Sequence, residues 1–183
     1  MADGNRPAVF LDRDGTLVED PGYLHRPDDV RLLPGAGAAV ARLNGAGYLV
    51  VLITNQSGIA RGIYDVAAYE AVQRRLEDLL GRAGARLDGA YYCPHHPDHT
   101  GPCACRKPGL RLFEEAAAVL GIDLHRSWSV GDKISDVEPA LAFGGRGILV
   151  ETGDGAVHAA AARALGVPVV ADLAAAASRI IAP

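Results

Sequence analysis

The stretch Ala8–Thr16, which reads AVFLDRDGT, decides the fold and the chemistry that this chain predicts. Its first four residues are a short, unbroken apolar run, which is typical of a strand buried on both faces of a parallel sheet. Asp12 and Asp14 follow where that strand is expected to end. Because ligands bind at the carboxyl ends of the strands in an open α/β sheet, we expect the two aspartates to mark the functional edge.

The spacing of Asp12 and Asp14 indicates paired carboxylate chemistry. Two carboxylates at i and i+2 are expected to share a side, and an aspartate can act as a nucleophile or as a general acid–base. Anions this close repel each other unless a cation lies between them, and Mg²⁺ prefers carboxylate, water and phosphate oxygens. The alternative is a turn stabilised by Asx hydrogen bonds, but the strand before and Gly15-Thr16 after favour function.

Strand and helix patterns alternate along the rest of the chain. Tyr48–Thr54, which reads YLVVLIT, is the strongest strand pattern. Further strands are predicted at 89–92, 128–130, 147–150 and 167–170, and helices at 34–44, 65–81, 110–120, 135–142 (with Ser135 as N-cap) and twice within 156–181. Residues 17–33 are interpreted as a polar loop. The pattern predicts one α/β domain over residues 1–183, a Rossmann-like three-layer sandwich on a mainly parallel sheet, with no large cap domain.

Composition narrows the classes of partner. A net charge of −4 without a basic run argues against nucleic acid. No apolar run approaches membrane-spanning length, and the polar N-terminus lacks the apolar core of a signal peptide, so no membrane partner and a cytoplasmic location are expected. We therefore expect the partner to be a small-molecule substrate and the protein to be a monomer.

Three further polar sets follow predicted strands or precede a helix. They are Thr54-Asn55-Gln56-Ser57, Arg106-Lys107 and Gly131-Asp132-Lys133. Hydroxyl, amide and backbone N–H groups hold phosphate oxygens, a lysine neutralises a phosphoryl group, and Asp132 can complete a magnesium site. Asp136, one helical turn further along, is expected to play a supporting role near that metal. Each set alone has a plainer interpretation as a turn, a solvated basic pair or a helix cap. Because parallel strands end at one edge, we expect all of them to meet Asp12 and Asp14 in one crevice.

The three cysteines lie between positions 93 and 105, which suits a metal site better than disulfides. Cys93, His95, Cys103 and Cys105 supply a Cys₃His set that is typical of closed, structural zinc. His96 and His99 are competing ligands, and three free thiols are the alternative. We name residues 93–105 the zinc loop, and expect Zn²⁺ to hold this Pro-rich segment, which has no core of its own.

Four motifs in order, DRDGT, TNQSG, RKP and GDKISD, resemble the haloacid dehalogenase superfamily of phosphohydrolases. The resemblance extends over about residues 9–150 and, through TNQSGIARG and the zinc loop, is closest to a narrow group that acts on small phosphorylated sugars. It implies a Mg²⁺-dependent phosphatase, with a heptose bisphosphate as substrate. Histidinol phosphate or another small sugar phosphate is the alternative substrate. A non-catalytic zinc-loop binding module is a further alternative.

The resemblance also implies a role for each matching position. Asp12 would be the nucleophile and Asp14 the general acid–base, while Thr54 and Lys107 would steady the transferring phosphoryl group. Magnesium would be held by the Asp12 carboxylate, the Asp14 carbonyl and Asp132. Substrate would be bound by Asp20, Pro21, Gly22, Tyr23, Asn55, Gln56, Ser57, Arg106 and Lys133.

Overall fold

The computed structural model describes residues 6–182, which form a six-stranded parallel sheet with helices on both faces. The strands are β1 (Ala8–Leu11), β2 (Leu49–Asn55), β3 (Gly89–Cys93), β4 (Trp128–Gly131), β5 (Arg146–Val150) and β6 (Val169–Val170). Their order is β3-β2-β1-β4-β5-β6. The order reverses beside β1, because β2 lies on one side of it and β4 on the other. A crevice for a ligand is expected at the carboxyl ends of strands at such a switch point.

Helices cover both faces of the sheet. They are α1 (Ala36–Gly45), α2 (Ser57–Ala60), α3 (Val66–Arg82), α4 (Pro97–Thr100), α5 (Arg111–Leu120), α6 (Ile134–Ala142), α7 (Gly155–Ala164) and α8 (Leu173–Ile181). Apolar residues of α1, α3 and α8 pack together on one face of the sheet, whereas those of α5, α6 and α7 form two clusters on the other. The three-layer sandwich predicted from the sequence is therefore confirmed.

The first strand, β1, shows why this sequence forms a central strand. Val9 and Leu11 belong to the core on the α1 side, while Ala8 and Phe10 belong to the core on the α5 side. All four side chains are buried, as the unbroken apolar run predicts, because side chains along a strand alternate between two covered faces. Because Asp12 directly follows this strand, it lies at the carboxyl edge of the sheet.

Several predicted boundaries need correction. The N-cap of α6 is Lys133 and not Ser135, because the helix begins at Ile134 and the Asp136 carboxylate accepts a hydrogen bond of 3.0 Å from the Lys133 N–H. The last strand is limited to Val169–Val170. Residues 17–33 are not simply a polar loop, since they contain a 3₁₀ turn at Pro27–Asp29 and four side chains buried in the core. These side chains are Leu17, Val18, Leu24 and Val30.

Among residues 6–182, no segment forms a separate cap domain over the carboxyl edge of the sheet. No helix in this part of the chain is long and apolar enough to cross a membrane.

Candidate active site and metal centres

A buried lysine joins two of the carboxylates at the carboxyl edge. Lys107 Nζ lies 2.7 Å from Asp12 Oδ1, 2.7 Å from Asp136 Oδ1 and 2.6 Å from the Ile53 carbonyl oxygen. These contacts use all the N–H donors of an ammonium group. Lys107 is only 4% exposed, so the pairing takes place largely out of water. The Lys107 ammonium is therefore fixed beside the predicted nucleophile.

The electrostatics of this group favour the charged lysine. Burial by itself lowers the pKa of Lys107, but the adjacent Asp12 and Asp136 carboxylates outweigh burial, so the pKa rises above its ordinary value. Lys107 is consequently a fixed positive charge at neutral pH. Such a preorganised charge is suited to stabilising negative charge that develops on a phosphoryl group.

The Asp14 carboxylate is held by a different cation. Arg13 Nε and Nη2 donate to its two oxygens at 3.0 Å each, and Gln56 Nε2 donates to it at 2.9 Å. Arg13 is 1% exposed and its guanidinium lies 5.7 Å from the centre of the Tyr69 ring. Asp12 and Asp14 thus line one cavity, as predicted, while each carboxylate is paired with its own cation.

Burial and the Arg13 cation act on the pKa of Asp14 in opposite directions. Burial raises the pKa of Asp14 above its ordinary value, and the nearby Asp12 carboxylate acts in the same direction, although Arg13 and Gln56 oppose both. A carboxyl group with a raised pKa is suited to general acid catalysis near neutral pH. Asp12 and Asp14 therefore lie in environments that fit different tasks.

A third buried carboxylate supplies an oxygen without a protein partner. Asp132 Oδ2 accepts a hydrogen bond of 2.8 Å from the Asp154 N–H, whereas Asp132 Oδ1 is buried and has none. One oxygen each from Asp12, Asp132 and Asp136 lie within 4.8 Å of one another. Within residues 6–182, Lys107 alone has an ammonium group that forms ion pairs with this set. The excess negative charge and the unpaired oxygen fit a divalent cation such as Mg²⁺, which prefers carboxylate oxygens.

The same crowding changes the titration of Asp132. Burial, followed by the nearby Asp12 carboxylate, raises the pKa of Asp132 to about 7 in the metal-free protein. A metal and a proton therefore compete for this carboxylate near neutral pH.

Two glycines allow the backbone to pack against Asp132. Gly15 has φ 82° and Gly153 has φ 56°, and a Cβ on either residue would overlap Asp132 Oδ2. The Thr152 hydroxyl donates to the Gly15 carbonyl at 2.7 Å, which joins the loop after β5 to the loop after β1. Gly15 is thus required where the sequence motif places it, because larger residues would displace the carboxylate.

A cavity of about 270 Å³ opens above these groups. Of the predicted catalytic residues, Asp12, Asp14, Thr54 and Lys107 all line it. Eight of the nine predicted substrate-binding residues also do so, namely Asp20, Gly22, Tyr23, Asn55, Gln56, Ser57, Arg106 and Lys133. Pro21 is exposed and lies outside the lining of the cavity.

The polar turn after β2 is linked to the chain that carries Lys107. The Asn55 side chain accepts a hydrogen bond of 3.0 Å from the Lys107 N–H and donates to the Lys107 carbonyl at 3.3 Å. Thr54 is buried, and its hydroxyl oxygen accepts a hydrogen bond of 2.8 Å from Gln56 Nε2. These contacts bring together two sequence motifs that are about fifty residues apart.

The predicted zinc ligands also converge. The Cys93, Cys103 and Cys105 sulfurs lie 3.2–3.6 Å from one another, and His95 Nδ1 lies 3.2 Å from Cys105 Sγ and 3.7 Å from Cys93 Sγ. These separations approximate the edges of the tetrahedron that Zn²⁺ forms with thiolate and imidazole ligands. The Cys₃His donor set therefore fits a metal ion such as zinc.

The competing histidine ligands occupy other positions. His96 lies with Nε2 at 2.8 Å from Arg61 Nη2, and its Nδ1 accepts a hydrogen bond of 3.3 Å from the Asp98 N–H at the start of α4. The rings of His96 and His99 lie 5.5 Å apart, outside the Cys₃His cluster. The structure therefore favours His95, as the symmetry of C-x-H with C-x-C suggested.

The sequence patterns do not predict two residues of the site, and they assign a third residue too small a role. The available signal for Arg13 was its position between the two aspartates of the DRD motif, and the structure shows it buried beside Asp14. Tyr64 lines the cavity and donates a hydrogen bond to Gln56, but no local pattern identifies it. Asp136 was considered for a supporting role near the metal, whereas the structure shows it paired directly with Lys107.

Comparison with known proteins agrees with this geometry. A family model described as HAD-hydrolase-like matches residues 104–176, which include Lys107, Asp132 and Asp136. The fold and the site together define a phosphatase of the haloacid dehalogenase type, and the relatives narrow the class further. A D-glycero-β-D-manno-heptose-1,7-bisphosphate 7-phosphatase from Photorhabdus laumondii is 46% identical over 153 residues, which cover 80% of this chain and 81% of that protein.

A second relative and a solved structure support the same assignment. A D-glycero-D-manno-heptose-1,7-bisphosphate 7-phosphatase from Thermosynechococcus vestitus is 46% identical over 82% of this chain and 81% of its own length. The crystal structure of the D,D-heptose 1,7-bisphosphate phosphatase from B. bronchiseptica, complexed with magnesium and phosphate, matches with a TM-score of 0.88 at 37% identity. It covers 96% of this chain and 98% of that chain. This chain belongs to the D-glycero-D-manno-heptose-1,7-bisphosphate 7-phosphatase family.

Proposed function

We propose that this protein removes the 7-phosphate of D-glycero-D-manno-heptose 1,7-bisphosphate through an aspartyl-phosphate intermediate on Asp12. The observation that carries the proposal is the convergence of Asp12, the buried Lys107 and Asp14 on one cavity. The activity named for the relatives supports the choice of substrate.

In the first step, a carboxylate oxygen of Asp12 attacks the phosphorus atom in line with the bond to the sugar oxygen. That bond breaks as the new one forms, and Asp14 gives its proton to the departing oxygen. Lys107 and the Thr54 hydroxyl steady the negative charge on the transferring group. The raised pKa of Asp14 is consistent with its role as the acid.

In the second step, Asp14 is ionised and acts as a base. It takes a proton from a water molecule as the oxygen of that water attacks the phosphorus of the aspartyl-phosphate. The bond between phosphorus and the Asp12 oxygen breaks, which releases inorganic phosphate and restores the Asp12 carboxylate. Asp14 is again protonated, so the proton balance of one turnover is closed.

Magnesium is the proposed cofactor of this site, held by the Asp12 carboxylate, the Asp14 carbonyl and Asp132. When bound, the ion offsets the charge of the carboxylates and of the phosphoryl group. The buried, unpaired Asp132 Oδ1 is the structural feature that supports this ligand set.

The charge distribution of the cavity suits a bisphosphate. Lys107, Arg106 and Lys133 all line it, so cations are available to both phosphate groups. Asp20 and Tyr23 from the 17–33 loop supply polar groups for the sugar. We assign substrate recognition to these residues together with Gly22, Asn55, Gln56 and Ser57, and Pro21 shapes the turn that presents Asp20.

Zinc has a structural role in the proposal. Cys105 directly precedes Arg106 and Lys107 in the chain, and the Arg106 guanidinium donates to the His95 carbonyl at 3.3 Å. A metal ion on Cys93, His95, Cys103 and Cys105 would fix both cations relative to the cavity. Because thiols stay reduced in the cytoplasm, we propose that the protein is located there. We also propose that it is a monomer.

The experiment that tests the function is phosphate release from a small substrate panel. The panel contains both anomers of heptose 1,7-bisphosphate, histidinol phosphate and several sugar monophosphates, each measured as kcat/KM with Mg²⁺. We expect a heptose bisphosphate to be the best substrate. A higher kcat/KM for histidinol phosphate would refute the proposed substrate, and absence of Mg²⁺-dependent hydrolysis would instead favour the non-catalytic binding module.

A further inference from the structure

We infer that Tyr64 is a positioning residue for the general acid Asp14, acting through the side chain of Gln56. The inference rests on the proposed function, because it requires Asp14 to transfer protons to and from an ester oxygen. The observation that carries it is an unbroken chain of hydrogen bonds from the Tyr64 hydroxyl to the Asp14 carboxylate.

The first link is the contact between Tyr64 and Gln56. The Tyr64 hydroxyl donates to Gln56 Oε1 at 2.6 Å, and both side chains are buried. Burial raises the pKa of Tyr64 to about 12, so the hydroxyl stays protonated throughout the working range of an enzyme. Because Gln56 Oε1 can only accept, the direction of this hydrogen bond is fixed.

The second link is the orientation of the Gln56 amide, which four neighbours determine. Two donors, the Tyr64 hydroxyl and Arg13 Nη2 at 3.0 Å, face the amide oxygen. Two acceptors, Asp14 Oδ2 at 2.9 Å and Thr54 Oγ1 at 2.8 Å, face the amide nitrogen. Arg13 Nη2 can only donate and the Asp14 carboxylate accepts, so a flipped amide would face a donor with a donor and an acceptor with an acceptor. The Tyr64 and Thr54 hydroxyls complete the observed orientation. Tyr64 therefore helps to hold an N–H of Gln56 on Asp14.

The Tyr64 ring is itself fixed by its surroundings. The ring packs on α2 so closely that a Cβ on Gly58 would overlap it. On another side it stacks on His25 of the 17–33 loop, with ring centres 5.8 Å apart and planes inclined by 6°. A buried side chain packed in this way has little freedom to turn its hydroxyl away from Gln56.

The consequence concerns the proton on Asp14. The Gln56 N–H donates to Asp14 Oδ2 and fixes the direction of the carboxylate. If the Tyr64 hydroxyl is removed, we expect the acid to be less well placed for proton transfer to the leaving oxygen. The effect is specific to esters whose leaving oxygen must be protonated.

The test compares Tyr64→Phe with the wild-type enzyme on two esters. Heptose 1,7-bisphosphate has an alkoxide leaving group that needs the acid, whereas p-nitrophenyl phosphate has a leaving group that departs without it. We expect kcat/KM for the heptose bisphosphate to fall roughly 2- to 12-fold, the effect of one neutral hydrogen bond, and kcat/KM for p-nitrophenyl phosphate to stay near the wild-type value.

The matched control is Tyr48→Phe, which removes a hydroxyl that donates to the Ile180 carbonyl at 3.4 Å, far from the cavity lining. Equal losses on both esters in Tyr64→Phe, or a change no larger than that of Tyr48→Phe, would overturn the inference. Wild-type turnover of the heptose bisphosphate tests the proposed function separately. If another alkyl phosphate proves to be the substrate, Tyr64→Phe should still lose more activity on that ester than on p-nitrophenyl phosphate. The role of Tyr64 and the identity of the substrate can therefore fail independently.

Discussion

Replacing Lys107 with methionine tests the central feature of the site, the buried ammonium group between two carboxylates. The change removes contacts of 2.6–2.7 Å to Asp12, Asp136 and the Ile53 carbonyl, and keeps a side chain of similar length. Removing one partner of a buried ion pair costs about 3–5 kcal/mol, because the remaining charge is left without compensation. For a domain of this size, 1 kcal/mol corresponds to roughly 2–4 °C in Tm. We therefore expect Lys107→Met to lower Tm by about 6–20 °C.

The pH dependence of this loss has a defined sign. Burial raises the pKa of Asp136 and the Lys107 ammonium group opposes this rise, so in the variant the pKa of Asp136 in the folded state lies still further above its unfolded value of about 3.9. Between these two pKa values, the folded variant binds more protons than the unfolded chain, so its stability falls as pH rises. We expect the deficit of Lys107→Met relative to wild type to be larger at pH 8 than at pH 5.

The assay is thermal unfolding followed by circular dichroism at both pH values, without added Mg²⁺ and with the same zinc content. Lys133→Met is the matched control for stability, because Lys133 makes a partly exposed ion pair of 3.2 Å with Asp154, and a pair of this kind contributes at most about 1 kcal/mol. Equal losses of Tm in the two variants would refute the reasoning. We also expect Lys107→Met to lower kcat by about 10²–10³, the usual effect of removing a preorganised group that stabilises charge.

Three further predictions follow from the same geometry. Asp12→Asn should abolish phosphate release, because the amide cannot form the acyl phosphate, and should leave the circular dichroism spectrum unchanged. A variant with the wild-type rate would show that Asp12 is not the nucleophile. The Mg²⁺ concentration for half-maximal activity should rise up to about tenfold between pH 7 and pH 6 and change little between pH 8 and pH 9. The reason is that the pKa of Asp132 is raised to about 7, so that a proton competes with the metal for this carboxylate. A half-maximal Mg²⁺ concentration that does not depend on pH would contradict the assignment of Asp132 as a magnesium ligand. Metal analysis of protein purified without chelator should give about one zinc per chain. Removal of the zinc ion should increase proteolysis within residues 93–105. An ordered zinc loop in metal-free protein would argue against a structural zinc.

The sequence was sufficient for the architecture because its signals are local. A strand that is covered on both faces must be apolar at every position, and β1 and β2 show this pattern without interruption. The motifs DRDGT, TNQSG and GDKISD lie at the ends of such strands, so their common position at one edge follows from parallel pairing, whereas Lys107 reaches that edge from the segment that leads into α5. The paired spacing of Cys93, His95, Cys103 and Cys105 similarly predicted a cluster that the structure confirms as a group able to hold a metal.

Other features were less predictable because they depend on the precise packing of the chain. Residues 17–33 lack periodicity, so their four core side chains could not be separated from a polar loop by pattern alone. The prediction for the start of α6 is wrong because Ser135 is a good N-cap residue, whereas the observed N-cap, Lys133, lies two residues earlier and its N–H donates to the Asp136 carboxylate.

By itself, the sequence determined which residues carry charge, hydroxyl and thiol groups at the ends of the strands, and hence the kind of chemistry. The tertiary structure decided how those charges are paired. Lys107 lies between Asp12 and Asp136, and Arg13 is reserved for Asp14. The physical reason is that electrostatic and hydrogen-bond energies depend on distances of a few ångströms between residues far apart in the chain, which spacing along the sequence does not encode. The two aspartates in AVFLDRDGT thus acquire two different cationic partners only when the chain is folded.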